Sequence, residues 1–347
     1  MQRFELQPGY SISRVIKGGW HLAGGHGNIA ENVAIEDMRQ FVKAGITTFD
    51  CADIYTGVEE LIGKFRKTYQ DEFRSGDLAP IQIHTKYVPD YNALATSKKE
   101  DTVKIIDRSL KRLGVERLDL VQFAWWDYSF PKYVETAIHL SELQKQGKIQ
   151  YIGVTNFDTA HIKEIIGAGV TISSNQVQYS VLDRRVEKDM TTLAEKHNIP
   201  YLCYGTVAGG FLSDRYLGAQ DPPQPHENRS LTKYRLIIDE FGGYAFFQEA
   251  LRALREIADQ YQVGIAEVAS KYILQKPMVG GVIIGARNRK HLSALQTLNN
   301  FELSENDFKK IAEIVAPSQG PKGPFYALER DKTGKHGSIM KYNLNES

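Results

Sequence analysis

Eight apolar runs of strand length, most of them separated by a segment of helical period, dominate this sequence and leave few folds open to it. The runs are 15–20, 47–51, 81–88, 118–125, 149–155, 173–178, 201–204 and 282–284, all rich in apolar or β-branched residues. Between them, segments 34–44, 59–69, 99–113, 132–146, 159–168 and 187–197 carry apolar residues three and four apart, the mark of a helix with one buried face. Four of these end in Ala44-Gly45, Leu113-Gly114, Gln146-Gly147 and Ala168-Gly169, placing glycine where a helix C-cap takes positive φ. Strict alternation predicts an α/β fold with a parallel sheet, and eight strands suit a closed (β/α)8 TIM-type barrel better than an open sheet.

The flanks depart from this rhythm. The polar start suggests a hairpin. At 208–247 a Pro-rich stretch, DPPQPHEN, precedes LTKYRLIIDEFGGYAFF, which predicts a long insertion after the seventh strand. Helices at 248–261 and 266–275 lead into the last strand, and 305–315 closes a core spanning about 13–316. The Gly-, Lys- and Asn-rich extension 317–347 is either disordered or a strap over the barrel mouth, with Phe325, Tyr326 and Tyr342 favouring the strap. The whole, 1–347, reads as one domain.

Composition removes several classes of function. Lys plus Arg (43) nearly cancel Asp plus Glu (42), so no global field recruits nucleic acid or an anionic membrane. Cys51 and Cys203 form no CxxC, which speaks against a disulfide framework or zinc site and fits a reducing cytoplasm. No signal peptide or membrane-length apolar run is visible. The nine histidines show no HExxH or paired metal spacing, so no metal is expected. A small molecule is the expected partner.

Candidate chemistry lies at strand ends. Asp50 and Tyr55 fall in FDCADIY, at and just after the second strand, and Lys86 falls near the end of the third in IHTKY. A barrel brings both places to its C-terminal face, where active sites of this fold are built. An ammonium beside a phenol lowers its pKa towards neutrality, so Lys86 is expected to tune Tyr55, with Asp50 as counter-ion. That trio suits a general acid protonating a carbonyl oxygen.

These motifs, with others at later strand ends, resemble the aldo-keto reductase family over roughly residues 13–315. GITTFDCADIYTGVEELIG is similar to the family segment carrying the catalytic Asp and Tyr, and IHTK to its Lys strand. KIQYIGVTNF resembles the fifth-strand signature, which implies that Thr155 and Asn156 bind the nicotinamide carboxamide. SNQVQYS implies the same for Gln176. YLCYGTVAGGFLS implies that Tyr204 stacks on the nicotinamide, with backbone contacts near Gly205, Val207 and Gly209. VIIGARNRKHL implies a phosphate site at Gly285, Ala286, Arg287, Asn288 and His291; Gly19 and Trp20 complete the cofactor set. Arg287, Arg289 and Lys290 favour NADP, since cations there suit a 2′-phosphate. NAD stays open, because Ala294 and Leu295 stand where the family commonly has Glu-Asn.

The resemblance implies an oxidoreductase that interconverts an aldehyde, ketone or sugar carbonyl with its alcohol. One departure bears on rate: the family usually has His at the end of the fourth strand, and here Ala124, natural or introduced, offers no donor. Losing one oxyanion-type donor costs on the order of 10²–10³ in rate. The alternative is a cofactor-binding regulatory subunit with little turnover.

Other residues receive plainer readings. His84 is expected to be a hydrogen-bonded core histidine and Cys51 to pack outward. Gly24-Gly25-His26-Gly27 is read as a mobile loop, and Arg184-Arg185 and Lys98-Lys99 as solvated faces. Trp20, Trp125 and Trp126 are placed either at the pocket wall or under loops.

Overall fold

The computed structural model describes residues 1–345 apart from 24–28, 188 and 286–287. The glycine-rich loop at 24–27, Ala286 and Arg287 therefore lie outside the described residues. An antiparallel hairpin, β1 (Arg3–Gln7) and β2 (Tyr10–Ser13), precedes eight parallel strands: β3 (Val15–Gly18), β4 (Thr48–Asp50), β5 (Gln82–Tyr87), β6 (Leu118–Phe123), β7 (Ile149–Thr155), β8 (Asn175–Gln178), β9 (Tyr201–Tyr204) and β10 (Val279–Ile284). These eight close into a barrel in the order β10-β3-β4-β5-β6-β7-β8-β9.

All eight expected strands are present. The last begins three residues earlier than its apolar run, because Gly280 and Gly281 carry no strand signal of their own. Both serve close packing: a Cβ at Gly281 would lie 2.9 Å from the Arg14 carbonyl oxygen, and one at Gly280 would lie 3.0 Å from Phe4. The expected glycine caps hold as well, with Gly114 at φ 63° ending the helix Lys99–Leu113.

Side-chain alternation divides the barrel into an apolar floor and a polar mouth. At the floor, Leu6, Tyr10 and Ile12 of the hairpin pack on Ile16, Leu120, Leu202 and Ile283, plugging the N-terminal end. Further along the same inward faces come Asp50, His84, Lys86, Gln122, Gln176 and Gln178, all buried. Outward residues such as Phe49, Val121, Phe123 and Val154 join the helices in a second apolar layer. Each large side chain so buried contributes roughly 1.5–3 kcal/mol relative to exposure.

The insertion contains a helix that sequence reasoning missed, Arg229–Phe241, capped by Asn228 Oδ1 accepting from the Leu231 amide at 3.0 Å. Leu231, Tyr234, Ile237, Ile238 and Phe241 bury one of its faces. The preceding prolines masked the amphipathic period. Its neighbour Tyr244–Tyr261 starts four residues ahead of expectation.

The C-terminal extension is a strap across the mouth. Ser318 Oγ donates to the Phe241 carbonyl (2.6 Å), Tyr91 N to the Tyr342 carbonyl (2.9 Å), and the Leu344 and Asn345 amides to Asp90 Oδ1 (2.8 and 2.9 Å). Its strongest tie corrects the reading of Arg185 as solvated. Arg185 is buried, with Nη2 at 2.7 Å from Asp183 Oδ2 and 2.8 Å from Glu329 Oε1. The counter-ion from the strap lies 144 residues away in sequence, so the local pattern carried no sign of it. Arg184 likewise donates to the Val315 carbonyl at 3.0 Å. Because removing the cation leaves two buried carboxylates facing each other, Arg185→Met is expected to cost about 3–5 kcal/mol. Urea unfolding checks this, and a loss below about 1 kcal/mol would contradict the buried arrangement.

Candidate active site

Barrel register sets the core of the site. Asp50 pairs with Gly18 and His84 across the ladder, and Lys86 pairs with Gln122. The Lys86 ammonium donates to Asp50 Oδ2 at 2.7 Å and to the Cys51 carbonyl at 2.9 Å. Asp50 Oδ1 accepts from Gln122 Nε2 (3.0 Å) and Gln176 Nε2 (2.6 Å), and Gln176 Nε2 also reaches Gln122 Oε1 at 2.8 Å. Both charges are thus removed from water with their polar atoms engaged, which is what makes a buried pair tolerable. Gly19 N adds a bond to the Asp50 carbonyl at 2.7 Å, and a Cβ at Gly19 would lie at the same distance from that oxygen, so only glycine permits the approach.

Tyr55 follows β4 on a short turn, half-buried, with the Lys86 Nζ 4.9 Å from its ring centroid and Trp20 5.1 Å away on another side. Asp50, Tyr55 and Lys86 are therefore together, as expected. The direction of the phenol's pKa is not. Burial raises it above its ordinary value, Lys86 lowers it, Asp50 raises it again, and the net shift is upward. Burial also pulls the Lys86 ammonium down, but Asp50 and Tyr55 outweigh that and hold it above the ordinary lysine range. The expected phenolate-stabilising effect of Lys86 is present and is outweighed by burial, so Tyr55 keeps its proton through neutral pH.

Ala124 follows β6, half-buried, its amide bonded to the Tyr87 carbonyl at 3.0 Å, and its methyl offers no hydrogen-bond donor. Trp125 itself packs outward, its Nε1 donating to the Asp127 and Phe130 carbonyls at 3.0 Å. Trp126 lies under the strap, ring to ring with Tyr342 at 5.1 Å. Trp20 alone of the three indoles stands against Tyr55.

The second part of the site lies across the barrel. Asn156 sits at φ 60° and accepts from Tyr204 Oη through Oδ1 at 2.8 Å. Its Nδ2 and the Oε1 of Gln176 have no partner among the described residues, a donor and an acceptor that match the two ends of a carboxamide. Thr155 Oγ1 leans on the Gln176 carbonyl at 3.4 Å. Gly205 (φ 75°) and Gly209 (φ 65°) turn beneath Tyr234 of the insertion helix, and a Cβ at Gly205 would lie 2.3 Å from Tyr234 Oη. Val207 N-caps the next turn. Beyond β10, Gly285 and His291 are exposed, and Asn288 Oδ1 accepts from the Lys290 amide at 3.0 Å. Arg289 faces Asp37 at 3.6 Å, so part of its charge is already balanced.

Gln122 and two cations at the mouth, Lys233 and Arg330, were not singled out from sequence. Gln122 had a signal: it alternates with Leu120 and Ala124 on an inward face. The cations had none, since each comes from a segment without strand or barrel-helix period. Among the described residues no three His, Cys, Asp or Glu side chains could hold a metal ion, and no helix is long and apolar enough to cross a membrane.

Eight closed parallel strands, with a Lys-Asp-Tyr cluster at their C-terminal ends, define a barrel of the enzyme-bearing kind. A profile of the aldo/keto reductase family matches residues 14–316, and the chain belongs to that oxidoreductase family. It is 28% identical to the aldo-keto reductase YhdN of Bacillus subtilis over 331 residues, covering 91% of this chain and 94% of the relative. It is 23% identical to the NADH-specific methylglyoxal reductase of Escherichia coli over 325 residues, 88% and 95% of the two chains. Its fold is similar to that of an aldo/keto reductase from Klebsiella pneumoniae solved with NADP and acetate, with a TM-score of 0.69, 18% identity and coverage of 93% and 98%.

His84 lies one turn of the alternation below Lys86, its Nε2 3.2 Å from Tyr10 Oη and its Nδ1 buried without a partner. Burial, with Lys86 nearby, depresses its pKa to about 3. The unfolded chain takes up a proton near pH 6.5 and the folded one does not, so this residue makes stability fall as pH drops from about 6.5 towards 3. His84→Gln should flatten that part of the profile. Urea unfolding of both forms between pH 4 and 7 tests this, and parallel curves would show that His84 is not held neutral.

Proposed function

We propose that this chain is a nicotinamide-dependent carbonyl reductase in which Tyr55 donates the proton, Lys86 and Asp50 set its environment, and Ala124 leaves the substrate oxygen short of one donor. The observation that carries this reading is the Lys86 ammonium, fixed by Asp50 at 2.7 Å and facing the Tyr55 ring at 4.9 Å. A phenol that holds its proton at neutral pH can release it to an oxygen on which negative charge develops. Lys86 then stabilises the phenolate left behind, and Asp50 keeps Lys86 in place. The reverse direction, alcohol oxidation, uses the same residues with the proton returning to Tyr55.

The residues beside this trio suit the cofactor. When bound, it supplies the hydride that reaches the carbonyl carbon. Gln176 Oε1, Asn156 Nδ2 and Thr155 would hold its carboxamide and Tyr204 would face its ring. The 205–209 turn, Gly285, Asn288 and His291 would take its phosphates, with Ala286 and Arg287 added by family resemblance and Gly19 and Trp20 closing the near side. NADP is the proposed form, supported by the basic run at 287–290. One relative is NADH-specific and one structural neighbour was solved with NADP, so titration with both nucleotides decides. We further propose a small carbonyl or alcohol as the substrate, the cytoplasm as the location of two buried free thiols, and a single catalytic unit formed by residues 1–347.

Tyr55→Phe should lower kcat by about 10²–10⁴-fold across a panel of aldehydes and ketones while NADPH still binds, read by fluorescence titration. Undiminished turnover would remove Tyr55 from the proton-donor role. Ala124→His should raise kcat on the order of 10²-fold by giving the carbonyl oxygen a second donor. Tight nucleotide binding without turnover in either form would move the assignment to the nucleotide-sensing alternative.

A further inference from the structure

Arg330 comes from the strap, at the end of the short helix Ala327–Arg330, and reaches the rim formed by the ends of β6 and β7. Its Nη2 donates to Tyr128 Oη (2.7 Å), to the Asn156 carbonyl (2.5 Å) and, more weakly, to the Trp125 carbonyl (3.4 Å). The guanidinium lies over the Tyr128 ring at 4.2 Å and beside the Tyr326 ring at 5.2 Å. These neighbours fix its position against the residue following Ala124 and against Asn156, at the C-terminal end of the barrel.

All of those partners are neutral. Among the described residues no carboxylate lies within ion-pair distance of Arg330, its Nε is buried without a partner, and Nη1 makes no hydrogen bond. A half-buried guanidinium with unspent donors and no counter-ion is costly unless something else supplies the negative charge. A second cation stands close by. Lys233 of the insertion helix places its ammonium 4.9 Å from the Tyr204 ring and 5.8 Å from the same Tyr326 ring, with Tyr234 at 5.6 Å. Burial depresses its pKa to about 8, and the nearest charges acting on it are Glu329, Arg185 and Asp183. Asp183 and Glu329 act on Arg185 and Lys233, whereas among the described residues Arg330 has no carboxylate at ion-pair distance.

A purely structural staple does not account for this arrangement. The strap is already fixed by Glu329 on Arg185, by Ser318 and by the Tyr342 to Asn345 contacts. Arginine where neutral oxygens are the only partners leaves its charge unused, and guanidinium geometry is suited to carboxylate and phosphate oxygens.

We propose that Arg330, assisted by Lys233, binds an anionic group on the substrate, so that the preferred substrate is an aldehyde or ketone carrying a carboxylate or a phosphate. This rests on the carbonyl-reductase reading and names the substrate class of the same site. Arg330 sets specificity through binding, and Tyr55 keeps the proton chemistry.

The test compares matched carbonyl pairs on the full-length protein with saturating NADPH or NADH: 4-carboxybenzaldehyde against benzaldehyde, and glyceraldehyde 3-phosphate against glyceraldehyde. The charged member should be preferred in at least one pair, and which pair responds separates a carboxylate from a phosphate. In Arg330→Met the charged-to-neutral ratio of kcat/KM should fall by about 10²-fold, mainly through KM, as expected for a lost hydrogen bond to a charged group. Arg330→Lys should recover part of that ratio, and Lys233→Met should lower it less. Isothermal titration of the nucleotide-loaded protein with benzoate and with inorganic phosphate gives a readout independent of turnover, and Arg330→Met should weaken one of them.

A charged-to-neutral ratio near one, or a loss in Arg330→Met that is equal for both members, overturns the proposal while leaving the reductase reading intact, provided turnover still depends on Tyr55. A weakened nucleotide affinity with an unchanged ratio would assign the cations to the cofactor and also overturn it. If no carbonyl is turned over and neither anion binds, both readings fall.

Discussion

The ion pair between Asp50 and Lys86 is the contact on which the site depends. Two full charges inside a barrel are paired only because β4 and β5 are neighbours and their inward faces align, and because Gln122, Gln176 and the Cys51 carbonyl take up the remaining polar valences. Strand closure therefore comes first and the charge pair follows from it. Once present, the pair dictates its surroundings. It orients the Gln176 amide so that its oxygen stays free, it requires glycine at position 19 for close approach, and it holds the ammonium against Tyr55. A low-dielectric interior strengthens each of these interactions and penalises any vacancy among them.

The mouth is assembled from parts that are remote in sequence. The turn after β9 is pressed by Tyr234 of the insertion, and the rim at β6 and β7 is met by Arg330 of the strap. Asp183, Arg185 and Glu329 lock the β8 loop to the strap. Near β5, Asp53 accepts from the Val88 amide and from Asn345 Nδ2, and Arg108 also bonds Asn345, so the end of the strap is tied to the loop after β4. The barrel frame supplies the proposed proton-transfer residues, while the added segments meet them at the rim. Specificity in such a division lies in the segments that the barrel does not need for closure.

What could be read from sequence follows the range of the interactions involved. The βα rhythm, the capping glycines and the convergence of Asp50 with Lys86 depend on neighbours in the chain or on strand alternation, and all of these were legible. Gln122 was legible in principle, as a polar residue on an inward face. The helix Arg229–Phe241 was hidden behind prolines, and the burial of Arg185 was hidden because its partner Glu329 belongs to another end of the chain. The pKa of Tyr55 was misjudged in direction for a related reason. The charge of Lys86 could be inferred from the motif, whereas the extent of burial is set by Trp20 and by the packed mouth around it, which only three dimensions reveal.

Position 124 shows how the two kinds of part divide the work. A donor there would stand directly after β6, its amide bonded to the Tyr87 carbonyl, and would have little freedom to move. Arg330 stands instead on the strap, bonded to the carbonyl of the very next residue and carried by a four-residue helix whose Glu329 is held by Arg185. Local opening free energy is lower for such a segment than for a central strand, so its guanidinium is better suited to gripping a substrate group than to placing a proton donor within the tolerance that catalysis demands. On the proposed reading, the donor absent at Ala124 is therefore not replaced by the nearby cation. In the proposed reaction the strap would serve binding, and the rate of proton delivery would rest on Tyr55, Lys86 and Asp50.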